Sequence, residues 1–128
     1  MRDHERAMLA YLELAAISHE KHQPLGRDRF LILAGAEACR AGWPEVADRC
    51  GSIVRAANPV HLVGRFSTFA DAMRDAGFTP LVAQLERTCP LETAEALLAG
   101  QGVSLDALRG AEETAGDTAE RSLGRMTS

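Results

Sequence analysis

Lysine is nearly missing from this chain. Thirteen of its fourteen bases are arginine, Lys21 being the exception, and no five-residue window is dominated by basic residues. A polybasic tract for anionic lipid or nucleic acid is therefore excluded. With 18 acids the net charge is −4 at neutral pH, which argues against a generic phosphate-backbone binder, because such proteins bring many cations to phosphates at once. No apolar run approaches the roughly 20 residues that a membrane-spanning helix needs. The first ten residues, MRDHERAMLA, carry both signs of charge where the apolar part of a secretory signal would begin, so the expected location is cytoplasmic. Cysteine is sparse and odd in number: Cys39, Cys50 and Cys89 fit neither a disulfide framework nor a CxxC metal knuckle and are expected to be buried thiols. Valine and isoleucine together supply only 9 residues, too few for a β-rich fold.

What is present points to helix. The chain has 128 residues, 46% hydrophobic and 25% charged, with 22 alanines and 15 leucines, a soluble composition in which small and straight-chain residues lose little rotamer freedom in a helix. One all-α domain is expected, and folding at this size buries roughly two-thirds of the unfolded surface. Asp3 can cap a first helix whose Met8, Leu12, Ala15, His19 and His22 share one stripe, ending near Gln23-Pro24-Leu25-Gly26. A second helix after Asp28 carries Leu31, Ala34, Gly35, Ala38 and Ala41 and stops at Gly42. A third opens at Pro44 and ends at Asn58-Pro59. Val63, Phe66, Phe69, Ala70 and Met73 predict a fourth, Thr79-Pro80 opens a fifth, Pro90 a sixth, and Ser104 a last short turn. Residues 1–109 form the expected domain. The polar stretch 110–128 has little apolar surface and reads as a weakly structured tail, with Ala111, Ala115, Ala119 and Leu123 allowing a frayed helix.

Sliding the chain on itself by 35 residues pairs Leu31 with Phe66, Ala34 with Phe69, Gly42 with Gly77 and Trp43 with Phe78. At an offset of 36, Pro44-Glu45-Val46-Ala47 meets Pro80-Leu81-Val82-Ala83. Two stacked helical hairpins of about 35 residues explain that recurrence, since one hairpin cannot bury its apolar face alone. The stretch from Asp28 to His61 resembles a tetratricopeptide repeat: Gly35, Gly42, Ala47 and Pro59 stand at that family's spacings, while Ala34, Ala38 and Gly51 depart from it. A degenerate second unit runs from about Val63 to Ala96. The resemblance implies a short, right-handed α-solenoid whose first helices line a concave groove, and a role in binding a protein or peptide. Two hairpins are fewer than a solenoid usually needs, so either flanking helices cap them or the chain pairs with a second copy.

Candidate sites follow. His19 and His22 stand at i and i+3, as two ligands of a shared metal could, but lack the His-Glu-x-x-His gap and an evident third ligand. With Cys39 they define the alternative reading, a small metal- or thiol-dependent enzyme. Gly100-Gln101-Gly102 lacks the third glycine of a dinucleotide fingerprint. No cofactor, catalytic group or metal is assigned. In the repeat register Arg29 and Arg40 lie on one groove helix, Arg65 and Arg74 on the next. Four guanidiniums on one surface would suit the carboxylates of an acidic segment. The resulting expectation is a non-enzymatic protein-interaction module, with no nucleic-acid or membrane partner.

Overall fold

The computed structural model describes residues 3–109 and 112–127. Those residues form helices and turns with no strand, in the order α1 (His4–Glu20), α2 (Pro24–Ala41), α3 (Pro44–Ala57), a 3-10 turn (Leu62–Arg65), α4 (Phe69–Met73), α5 (Thr79–Thr88), α6 (Leu91–Gly100), α7 (Leu105–Leu108) and α8 (Ala115–Thr127).

Asp3 starts α1 by accepting the Arg6 amide hydrogen at 3.0 Å. The helix is not the one-striped amphipath expected: every residue from Ala7 to Ala16 is buried. Its alanines at 7, 10, 15 and 16 leave room for neighbours on several sides, so α2, α6 and α8 all pack on it. It stops after Glu20 because His22 turns left-handed (φ 59°), with the Gln23 amide reaching Ser18 O and the His22 amide reaching His19 O. That is a Schellman stop with histidine where glycine is usual.

Pro24, expected to close the first helix, opens the second, its fixed φ suiting the first helical turn. Asp28 is consequently not a cap but sits within α2, where it accepts from Arg27 Nε at 3.0 Å. Gly42, at φ 83°, ends α2 where a left-handed residue is required, and α3 follows as the sequence predicts.

Beyond α3 the repeat breaks. The expected helix carrying Val63 to Met73 is a 3-10 turn, a bend, and the five-residue α4. Gly64 disfavours continuous helix, and Thr68 caps α4 instead of extending it, accepting the Asp71 amide hydrogen at 3.1 Å. The second unit of the repeat is thus not a helical hairpin equivalent to α2–α3. Phe69 and Phe78 still fill the core beneath it, their rings edge to face at 5.7 Å. α5 begins one residue early, with Phe78 at its cap and Asp75 accepting from the Gly77 and Phe78 amides.

The segment expected to be a weakly structured tail contains α8, which buries Ala115, Gly116, Thr118, Ala119, Ser122, Leu123 and Met126 against α1 and α3. Thr114 and Asp117 start it with reciprocal side-chain-to-amide bonds at 3.1 and 3.2 Å, the arrangement of a capping box. Small residues make the close approach: a Cβ on Gly116 would collide with the Trp43 ring. In a solenoid each hairpin stacks on its chain neighbours. Here α6 and α8, remote in sequence, cover α1.

Candidate functional site

Two buried carboxylates organise the interior. Glu13, 5% exposed, accepts from Arg125 Nη1 at 2.8 and 2.7 Å and lies 3.4 Å from Ser122 Oγ. Glu37, 1% exposed, has His4 Nδ1 at 2.6 Å and Arg40 Nη1 at 3.2 Å. A carboxylate taken from water must be matched by charge and hydrogen bonds, so both pairs fasten α8, α1 and α2 together. Burial depresses the Arg125 guanidinium, but its bonds to Glu20 and Glu13 outweigh that and hold it above its ordinary value. The same Arg125 bond keeps Glu20 below its own. From the sequence Glu37 stands out only as a possible local ion-pair partner of the four arginines, beside Asp28 and Asp75, and Glu13 not at all, although each stands alone in an apolar run, LELAA and GAEAC. These are structural clasps, closed on their own partners.

The arginines predicted to share a groove are distributed. Arg40 is spent on α5: besides Glu37 it grips Glu86 with both terminal nitrogens, at 3.3 and 3.1 Å. Arg74 caps α4 and pairs with Asp71 at 3.2 Å, well exposed. Arg65 ends the 3-10 turn. Because a bend separates the turn from α4, Arg65 and Arg74 do not share a helix. Arg29 lines a cleft.

That cleft, about 190 Å³, is enclosed by Leu25, Asp28, Arg29 and Ile32 of α2, by Asn58 and His61 beyond α3, and by Leu81 and Leu85 of α5. The antiparallel α2–α3 pair brings the start of α2 to the end of α3, which is why residues 25–32 meet 58–61. Three large apolar side chains are conspicuously exposed among the described residues, and one of them, Leu25 at 73%, lines this cleft; Val60, next to His61 in the chain, is 89% exposed. His61 caps the 3-10 turn, its Nδ1 accepting the Val63 amide hydrogen at 3.0 Å. Burial holds this imidazole below its ordinary value, and the nearby Asp28 opposes that shift. Nothing in the sequence flagged His61, since a cap of this kind depends on the turn that follows it.

The residues of the alternative reading lie apart from this cleft. His19 Nδ1 accepts from Arg27 Nη1 at 3.1 Å, while His22 stands outside α1. No cluster of three or more His, Cys, Asp or Glu side chains able to hold a metal occurs among the described residues. Burial pushes the Cys39 thiol up to about 11, with the Asp48 charge adding to it, and also raises Cys50 and Cys89. An activated nucleophile needs the opposite shift. No helix among the described residues is long and apolar enough to cross a membrane. Compared with known proteins, the chain matches no family model, no curated protein and no solved structure.

Proposed function

We propose that this chain is a non-enzymatic helical module that binds another protein, taking a segment of its partner into the cleft between α2 and α5. The observation that carries the reading is the exposed apolar side chain of Leu25 at a cleft whose other apolar lining is Ile32, Leu81 and Leu85. Exposed apolar surface beside a concavity is characteristic of a docking site. The tetratricopeptide resemblance of Asp28–His61 coincides with the α2–α3 hairpin, and in this proposal that hairpin acts as one repeat-like unit whose open end receives the partner. The raised thiols support a binding role over thiol chemistry.

Photo-crosslinking tests it. A benzophenone side chain placed at Leu25 is expected to give a discrete light-dependent adduct in native extract, whereas the same group at the exposed Glu92 on α6 gives none. An adduct that is a second copy of this chain makes the module self-associating. Equal labelling from both positions, or none from either, overturns the reading.

A further inference from the structure

We propose that the cleft selects a partner segment in which a carboxylate side chain lies one or two residues from a large apolar one. This rests on the protein-binding reading above and specifies its partner. The floor is apolar, built by Ile32, Leu81 and Leu85, and Leu25 extends it outward. Its polar side is made of Asp28, Arg29, Asn58 and His61, of which Arg29 only donates. Arg29 is exposed and makes no ion pair or side-chain hydrogen bond with a described residue. The one carboxylate lining the cleft, Asp28, is held by Arg27 Nε at 3.0 Å and is itself only 14% exposed, so it does not cancel Arg29. His61 supplies a second donor by elimination: with Nδ1 accepting from the Val63 amide, the neutral ring carries its proton on Nε2.

The end of α3 and the turn after it carry two further arginines, which do not line the cleft. Arg55 lies over Gly64 of the 3-10 turn and Arg65 ends that turn. Both are exposed and neither is ion-paired with a described residue. A planar guanidinium beside an N–H donor fits a carboxylate, and the apolar floor fits a leucine-sized group. A basic segment would meet uncancelled positive charge there.

Three peptides of equal length serve as probes: one alternating aspartate and leucine with glycine, one with lysine for every aspartate, and one with alanine for every leucine. The amide resonances of Leu25, Arg29, Ile32 and Leu85 in the full chain are followed as each is added. The aspartate–leucine peptide is expected to move them and to bind about fivefold more tightly than either other peptide, a difference of about one exposed charge-assisted contact. Arg29→Gln should remove that advantage and Arg74→Gln should not. Equal binding of the lysine–leucine peptide, or indifference to Arg29→Gln, overturns the acidic chemistry. Equal binding of the aspartate–alanine peptide overturns the apolar half. If no probe moves these resonances while crosslinking from position 25 still captures a protein, the present inference falls and the binding reading stands; if both fail, both fall.

Discussion

α1 and the α5–α7 stretch are both helical and both rich in alanine and leucine, yet they are built differently. Eleven of the seventeen residues of α1 are buried, including Glu13, whereas α5, α6 and α7 together bury Val82, Ala94 and Leu98. Apolar content does not explain it, since α6 reads LETAEALLAG. The difference is in the number of neighbours: α1 is covered by α2, α6 and α8, while α5 rests on α2 and α6 on α1. A helix surrounded by others becomes core, and one leaning on a single neighbour keeps a free face. The candidate binding cleft lies along such a free face, beside α5, and the buried carboxylate clasps lie on the surrounded helices.

Four experiments break or sharpen that contrast. The largest effect is expected from Leu12→Ala, in the middle of α1, at about 3 kcal/mol of lost stability, against about 1 kcal/mol for Leu81→Ala on α5. Urea unfolding measures both, and equal costs would remove the distinction. Next, Arg125→Ala leaves Glu13 buried without its cation and should cost about 2 kcal/mol. Arg6→Ala, which frees only the more exposed Glu95 and Asp106, should cost under about 1 kcal/mol. Third, a glycine of α8, which covers α1, and a glycine of α6 should respond with opposite sign. Gly116→Ala forces a Cβ into the Trp43 ring and is expected to destabilise by about 1 kcal/mol. Gly100→Ala meets nothing within 4 Å and should stabilise by about 0.5 kcal/mol through helix propensity. Calorimetric melting of the two variants decides it.

The smallest effect concerns His61. Its folded-state value is lowered, so the unfolded chain binds more protons in the window between the two values. The contribution of neutral His61 is therefore complete above the ordinary imidazole range. It diminishes as pH falls through that range towards the folded value. Thermal melts from neutral to mildly acidic pH should show this slope in the wild type and lose it in His61→Asn, whose side-chain oxygen can take over the cap without titrating. An unchanged slope would place the acid sensitivity elsewhere.

Much of the helical order is legible in the sequence because proline and glycine mark it: Pro44, Pro90 and Gly42 stand where the structure starts or stops helices. Pro24 misleads, because the same residue type that ends one helix also opens the next. The segment from Val63 to Met73 has helical periodicity, but periodicity does not register the competition from Gly64 and from the Thr68 cap. α8 escapes the same reading for the opposite reason. It buries alanine, glycine, serine and threonine, whose fit against Trp43 and Glu13 comes from closeness and hydrogen bonding rather than from apolar bulk. At the cleft, Arg29 is visible as a charge on a helix. Its companions Asn58, His61 and Leu85 arrive through the α2–α3 turn and the docking of α5, which no local pattern encodes.

The order in which the chain is made gives α8 a further significance. Synthesis delivers α1 first, and its leucines, methionine and tyrosine then wait for a cover that ends only at Met126. Until those residues emerge, the face of α1 that α8 covers stays open and Glu13 lacks Arg125. The interval between the emergence of α1 and that of α8 is a period in which aggregation or chaperone capture competes with folding. A chain interrupted before residue 115 therefore leaves α1 without the cover of α8 and Glu13 without Arg125, however well the intervening helices have packed.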